Sequence, residues 1–229
     1  AYDNEAALAD FANAVDIVTY EFENVPMATA AFLADLRPVA PGARALAISQ
    51  DRVAEKRFLS EIGVAVAPWR AVDSLSDFED GLAEIGIPAV LKTARMGYDG
   101  KGQRMIRKPE DAGPAFSELG GTGLVLEKLI GFEREISVVA ARKARAETPA
   151  FDPAENVHRN HRLHPRPVPA AIPETTADAA RAIAGSIAEA LDYVGVIGVE
   201  FFVVPGEPTP RLLVNEIAPR VHNSGHWTE

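Results

Sequence analysis

The stretch GVIGVEFFVVPGEPTPRLLVNEIA, residues 195–218, constrains the fold more than any other part of this chain. It reads as two β-strands, GVIGVEFFVV and RLLVNEIA, joined by the turn PGEPTP. Valine, isoleucine and phenylalanine at this density suit a pleated, covered sheet, and so short a connection makes the strands neighbours. Each strand carries one carboxylate in an otherwise apolar run, Glu200 in the first and Glu216 in the second. Burying a carboxylate is costly unless a cation or hydrogen-bond donors offset it. Two readings stay open: the pair shares a ligand such as Mg2+ bound with substrate phosphates, or arginines satisfy the carboxylates at the strand ends.

The rest of the pattern alternates strands and helices, which indicates an α/β or α+β chain. Residues 5–14 read as a helix, DIVTYEF (16–22) as a buried strand ending at Asn24 and Pro26, and Met27–Leu36 as a second helix. Residues 1–40 are expected to be the last βα piece of a domain whose earlier strands are missing. From Asp51 to Ile62, Ala54, Phe58, Leu59 and Ile62 keep helical spacing up to Gly63. GVAVAPW follows as a short strand. Ser76 and Glu79 have capping-box spacing ahead of the stripe Phe78, Leu82 and Ile85, with Gly86 and Pro88 as the stop. PAVLKT, GQRMIR, GLVLEKL and REISVVAAR are the next strands, and residues 146–170 are irregular. Thr175 or Thr176 is placed to cap a long helix reaching Asp192, with the stripe Ala180, Ile183, Ile187 and Leu191.

Composition narrows the function. A net charge of −10 opposes general affinity for nucleic acid or an anionic membrane, although a local cationic pocket remains compatible with it. The absence of cysteine removes disulfides, thiolate zinc sites and cysteine nucleophiles, and fits a cytoplasmic protein. No apolar run approaches the roughly 20 residues of a membrane helix, and the first residues have neither a basic region nor an apolar signal core.

Between two of the strands lies LKTARMGYDGKGQ, residues 91–103. Gly97, Gly100 and Gly102 allow close backbone approach to a ligand, and Lys92, Arg95 and Lys101 supply positive charge. The segment is either a phosphate-holding loop or a hairpin turn with solvated cations. It is neither a Walker A loop nor a Rossmann fingerprint, because it leads into a strand and lacks the GKS or GKT ending. His158, His161 and His164 recur at three-residue spacing, but Pro165 and Pro167 argue against a helix there and a zinc site is not expected.

In order along the chain, YEFENVP, QDRVAEKRFL, APW, LKTARMGYDGKGQ, LEKLIGFEREISVV, ENVH, GVIGVEFFV and LLVNEIAPRVHNSGHWT closely resemble the 5-(carboxyamino)imidazole ribonucleotide synthetase family of ATP-grasp enzymes. The resemblance covers nearly the whole chain. GYDGKGQ and APRVHNSGHWT are its specific parts, whereas EKRFL and the isolated glutamates are shared more widely among ATP-grasp proteins.

The resemblance implies an ATP-grasp fold, residues 42–229, with a small mobile lid at about residues 66–129, preceded by the end of a Rossmann-like domain at residues 1–41. It implies a cytoplasmic, homodimeric, ADP-forming carbon–nitrogen ligase of purine biosynthesis, using ATP, bicarbonate and 5-aminoimidazole ribonucleotide with two Mg2+ ions. Arg52 and Lys92 would approach the nucleotide, and Gly97, Tyr98, Asp99, Gly100, Lys101, Gly102 and Gln103 would close over its phosphates. Glu127, Lys128, Leu129 and Ile130 resemble the adenine hinge, and Glu135 the acceptor for the ribose hydroxyls. Glu200 and Glu216 resemble the metal ligands, with Asn215 beside the phosphates. Arg220, His222, Asn223 and Lys101 match the catalytic positions. Glu21, Tyr98, Asp99, Lys101 and His226 match the cleft for the imidazole nucleotide. Asn156 and His158 also carry over.

The chain departs from the family in three ways. Met96 stands where a glycine is usual, Ala218 where many relatives place an asparagine metal ligand, and neither the usual glycine-rich N-terminal unit nor the small C-terminal domain is present. The alternatives are a formate-dependent relative acting on glycinamide ribonucleotide and a non-catalytic nucleotide-binding module.

Overall fold

The computed structural model describes residues 2–97, 101–144, 148–156, 158–159, 162–163, 167–207 and 209–228. Two antiparallel sheets organise the chain. One has the order β1 (Trp69–Val72), β4 (Leu124–Lys128), β2 (Ala89–Thr93), β3 (Gln103–Ile106). The other has the order β10 (Arg211–Ala218), β9 (Gly195–Val204), β5 (Arg134–Arg142), β6 (Ala154–Asn156). Residues β7 (His158–Arg159) and β8 (Arg162–Leu163) form a separate two-stranded ribbon.

Each sheet is covered on one face, and strand alternation decides what the other face carries. Ile197, Val199, Phe201 and Val203 of β9 and Ile136, Val138 and Ala140 of β5 enter one core. There they meet Ala180, Ala184, Ile187, Ala188 and Leu191 of α7 (Glu174–Ala190). The alanines let the helix approach closely, and a buried phenylalanine such as Phe201 contributes about 1.5–3 kcal/mol over an exposed one. Glu135, Ser137 and Glu200 lie at the intervening positions, away from that core. The smaller sheet packs Val72, Leu91, Leu124 and Leu126 against Phe78 of α5 (Leu75–Ile85) and Ala115 of α6 (Ala112–Glu118). At the N-terminal end, α1 (Glu5–Asn13) and α2 (Met27–Ala34) bury Ala12 and Leu33 with Val18. α3 (Ala43–Ser49) leads into α4 (Arg52–Glu61), which packs against both β1 and β10 and so ties the two sheets together. Among the described residues no helix is long and apolar enough to cross a membrane.

Several local expectations change. DIVTYEF is not a regular strand: Val18 makes one parallel bridge to Val39, because no other described strand lies beside it. GVAVAPW likewise gives a single bridge, Val66 to Val214, and the ladder begins only at Trp69, where β4 provides a partner. Helix α5 is capped two residues earlier than the Ser76–Glu79 spacing suggested: Ser74 accepts from the Asp77 amide at 3.1 Å, and Ser76 is inside the helix. Thr175 and Thr176 do not cap α7, which starts after Pro173 with no side-chain cap, and it ends at Ala190 rather than Asp192. The Pro173 carbonyl accepts from the Thr176 and Ala177 amides at 2.9 and 3.0 Å, so the first turn is closed by backbone alone. The sequence reading omitted α3 and α6, whose seven residues each are too few to show a full amphipathic repeat.

Candidate functional site

The open face of the larger sheet, α4 and the root of the glycine loop converge on one cleft. A β-bulge sets its floor. Val214 pairs with Phe201, but the register then shifts and Glu216 pairs with Glu200, leaving Asn215 as the extra residue. With strict alternation Val214 and Glu216 would share a face. The bulge instead keeps Val214 in the core and turns Glu216 toward the side of Glu200. This corrects the expectation of buried carboxylates: the side chains of Glu200 and Glu216 are 20% and 41% exposed.

Arg52 connects this floor to the loop. Asp51 caps α4 by accepting from the amides of Val53 and Ala54 at 3.0 and 3.1 Å, which fixes Arg52 in the first turn. From there Nη1 of Arg52 stands 3.7 Å from Glu216 Oε2, and Nη2 donates to the Gly97 carbonyl at 3.3 Å. Arginine satisfaction therefore describes Glu216 in part. The loop closes on β2 and β3: the Thr93 amide donates to the Gly102 carbonyl at 2.8 Å. Gly102 has φ 69°, and a Cβ there would lie 2.6 Å from Thr93 Oγ1, so glycine is required both by conformation and by space. Met96 also adopts a positive φ of 61° and is exposed. Tyr98, Asp99 and Gly100 lie outside the described residues. Lys101 is exposed, and Gln103 pairs with Lys92 across the hairpin.

Lys92 extends from β2 to a buried carboxylate on β4. Glu127 Oε2 receives Lys92 Nζ at 3.1 Å and Lys56 Nζ at 3.2 Å, while Oε1 is buried and, among the described residues, has no hydrogen-bond partner. Burial works against the charge of Glu127, but the ammonium groups of Lys56 and Lys92 outweigh it and hold the carboxyl below its ordinary range. Burial also lowers Lys92, against the pull of Glu127. Of the expected hinge backbone, the Lys128 amide donates to Pro68 and the Leu129 amide to Pro88, at 2.8 and 3.2 Å. Those two amides are committed within the protein, whereas Ile130 is partly buried at the end of the segment.

Sequence reasoning missed three of the site's ionic groups. Lys56 and Glu55 are nearly fully buried on α4, and Glu55 Oε1 accepts from the Ile217 amide at 2.6 Å, locking the end of β10 beside Glu216. Burial and then the nearby Glu216 push the Glu55 carboxyl up to about 8. The available signal was their placement next to Phe58 and Leu59, on the turn of the helix that carries the apolar stripe. The third group is Glu23, which takes the Nε of Arg220; Glu21, expected in the cleft, is exposed.

Beyond β10, His222 enters from the side of Glu200, while Arg220 is held by Glu23. His222 is buried, with Nδ1 2.6 Å from Ser224 Oγ and Nε2 3.6 Å from Glu200 Oε1. Asn223 and His226 are exposed in the short helical turn Asn223–Thr228. Ser137, the register partner of Glu200, exchanges hydrogen bonds with the Asn156 side chain at 2.8 and 3.0 Å, so Asn156 lies one strand away from the floor. Glu135 is half-buried on the same face as Ser137, and His158 is in the ribbon. His161 and His164 lie outside the described residues. Among the described residues no three His, Asp or Glu side chains form a metal cage on their own. The carboxylates of Glu200 and Glu216 fit the oxygen-donor chemistry of Mg2+, which commonly takes only one or two protein carboxylates and completes its shell with phosphate and water.

Known proteins match this geometry over the whole chain. Residues 57–229 match the ATP-grasp domain, and residues 1–50 the ribonucleotide synthetase preATP-grasp domain. The N5-carboxyaminoimidazole ribonucleotide synthase of Brucella melitensis is 49% identical, with the alignment covering 100% of this chain and 63% of that protein. The crystal structure of the synthetase from Thermus thermophilus superimposes with a TM-score of 0.91 at 45% identity, covering 99% of this chain and 61% of that one. The Aspergillus clavatus synthase, solved with ADP and 5-aminoimidazole ribonucleotide, gives a TM-score of 0.88 at 25% identity, covering 100% of this chain and 59% of that one. The chain thus spans about three fifths of the length of the relatives it matches.

Proposed function

The chain belongs to the ATP-grasp family, and from that premise we propose that it carries the nucleotide and bicarbonate sites of an ADP-forming ligase. The substrate is 5-aminoimidazole ribonucleotide, and the reaction carboxylates its amine in purine biosynthesis. The observation that carries this reading is the dual engagement of Arg52, which reaches Glu216 on the floor and the Gly97 carbonyl in the loop. A guanidinium held between a metal-type carboxylate and a glycine loop is where a triphosphate would sit. The names of the relatives, and the ADP and aminoimidazole nucleotide in the Aspergillus structure, support the choice of reaction.

In this mechanism a bicarbonate oxygen attacks the γ-phosphorus of ATP, the bond to ADP breaks, and carboxyphosphate forms. The substrate amine then attacks the carboxyl carbon, inorganic phosphate leaves with the C–O bonding pair, and the amine loses a proton. Arg220 neutralises bicarbonate and the carboxyl end of carboxyphosphate, and Asn223 and His222 orient it. Lys92 and Arg52 hold the phosphates, Asn215 lies beside them, and the loop from Gly97 to Gln103 excludes water from the reactive intermediate. The free Oε1 of Glu127 matches the exocyclic amino group of adenine, and Glu135 takes the ribose hydroxyls. Glu200 and Glu216 would hold Mg2+, proposed as two ions, which supplies neutralisation of the charge on the transferring phosphoryl group. Tyr98, Asp99, Lys101, Glu21 and His226 are assigned to the imidazole nucleotide.

We divide the chain into a pre-ATP-grasp piece at residues 1–41 and an ATP-grasp unit at residues 42–229, with the lid at about 66–129. A cytoplasmic homodimer is the proposed state, in line with the family resemblance. The decisive experiment follows ADP release by the full-length protein with either substrate pair. Release that needs 5-aminoimidazole ribonucleotide and bicarbonate supports the reading; release that needs glycinamide ribonucleotide and formate overturns it.

A further inference from the structure

Arg220 is held from a part of the chain nearly two hundred residues away. Its Nε donates to Glu23 Oε2, and its Nη1 donates to the Val221 carbonyl at 3.0 Å. Among the described residues Nη2 has no protein partner, and the arginine side chain is 24% exposed. Glu23 lies in the bend before α2, and a single side chain closes that bend. Gln50 Nε2 donates to the carbonyls of Glu23 and Val25 at 2.8 and 2.6 Å. The other end of the same amide, Oε1, accepts from Arg95 Nη2 at 3.2 Å, and Arg95 also meets Asp51 Oδ2 at 3.4 Å. The continuous path therefore runs from the root of the glycine loop through Gln50 and Glu23 to Arg220.

We propose that Glu23 is a positioning residue for the carboxylation step: it fixes the Arg220 guanidinium so that its free edge, Nη2, meets the anion that the enzyme activates. The inference rests on the assignment of Arg220 to bicarbonate and carboxyphosphate made above. An unrestrained arginine carries roughly 2 kcal/mol of rotamer entropy and would have to lose it on binding a small anion that offers few contacts in return. Glu23 removes that cost before the anion arrives, because a carboxylate on Nε fixes the plane of the guanidinium as well as its place. Gln50 secures the backbone that presents Glu23, so the segment preceding the ATP-grasp unit contributes to the reaction through an arginine at the far end of that unit.

The test is a double-mutant cycle in the full-length protein, read as kcat and KM for bicarbonate and for Mg-ATP, with thermal stability followed in parallel. Glu23→Ala is expected to lower kcat/KM for bicarbonate about tenfold or more while KM for Mg-ATP moves less than about twofold. Glu23→Gln, which preserves size and an acceptor oxygen, should fall between wild type and Glu23→Ala and covers the case in which the alanine variant folds poorly. In an Arg220→Ala background, Glu23→Ala should cost no more than about a further twofold, since nothing remains for it to position. Independent, multiplicative losses would overturn the proposal, as would equal losses in the bicarbonate and ATP parameters. If Arg220→Ala itself leaves bicarbonate kinetics unchanged, the assignment of Arg220 has failed and the proposal falls with it. If Arg220→Ala is impaired and Glu23 acts independently, only the proposal falls.

Discussion

Gly198 on β9 is the space in which His222 sits. A Cβ at Gly198 would stand 2.8 Å from both Cβ and Cγ of His222 and 3.2 Å from its Nδ1. These are atoms close to the backbone of a buried residue already joined to Ser224, so they cannot swing aside freely. Gly198→Ala should destabilise the protein by about 1–3 kcal/mol through overpacking and lower turnover by displacing His222 from Glu200. Thermal unfolding and steady-state kinetics on the same preparation check this; an unaltered melting temperature would show that the contact is not tight.

Glu127 is the carboxylate that keeps two buried ammonium groups together. Glu127→Gln would leave Lys56 and Lys92 side by side without that negative charge and should cost about 3–5 kcal/mol. Combining it with Lys56→Met removes one of the two uncompensated cations and should recover part of that loss. Denaturant titrations of the single and double variants measure the recovery, and a double variant no more stable than Glu127→Gln would contradict the ionic account.

Glu55 gives the metal- and nucleotide-free protein a pH dependence of definite sign. Its folded-state carboxyl is pushed up to about 8 from an ordinary 4.5. Folding therefore favours its protonated form, and the associated stability is complete below the ordinary value and lost as pH rises through about 8. Glu55→Gln keeps an acceptor for the Ile217 amide without the charge. It should raise the melting temperature relative to wild type at alkaline pH and leave it nearly unchanged below about pH 5. An equal effect of Glu55→Gln at both ends of the range would contradict this.

Glu216→Ala should retain the fold, because the side chain is 41% exposed and its partner Arg52 keeps a second contact to the loop. Metal-dependent turnover of the full-length protein should fall by more than about a hundredfold, since stabilisation of phosphoryl charge by a bound ion is worth several kcal/mol. Turnover within twofold of wild type, across a Mg2+ titration, would remove Glu216 from the metal site.

The two residues of positive φ flanking the loop should respond oppositely. Gly102→Ala places a Cβ 2.6 Å from Thr93 Oγ1 as well as straining φ, and should weaken ATP binding and stability together. Met96→Gly relieves a left-handed conformation that costs a side chain about 1–2 kcal/mol, and should leave stability unchanged or slightly higher. Calorimetry with Mg-ATP and thermal unfolding distinguish the pair; a Met96→Gly variant much less stable than wild type would contradict the strain.

β9 and β10 were legible within GVIGVEFFVV and RLLVNEIA because each is a long apolar run, and the short strands β2 and β3 because they flank the glycine loop. The short helices α3 and α6 were not, and the caps of α5 and α7 were misplaced, because serine and threonine occur at several nearby positions and only the backbone trace selects among them. Glu200, Glu216 and Lys92 stood out as charges in or beside apolar strands, whereas Arg52 was reached only through the family resemblance. Glu23, Gln50 and Lys56 did not, since each acts through a contact to a residue remote in sequence.

By itself, the sequence determined the principal strands and longer helices of the ATP-grasp unit, the glycine loop between β2 and β3, and the family to which the motifs point, because local periodicity and short motifs are properties of neighbouring residues. The tertiary structure alone decided which side chains share the cleft. The bulge at Asn215 turns Glu216 to the face of Glu200, α4 places Lys56 on the carboxylate that also takes Lys92, and a bend near the N-terminus places Glu23 on Arg220. A one-residue register shift reverses the facing of every residue beyond it, and a buried charge finds its partner wherever packing puts one. Neither consequence is encoded in the spacing of residues along the chain.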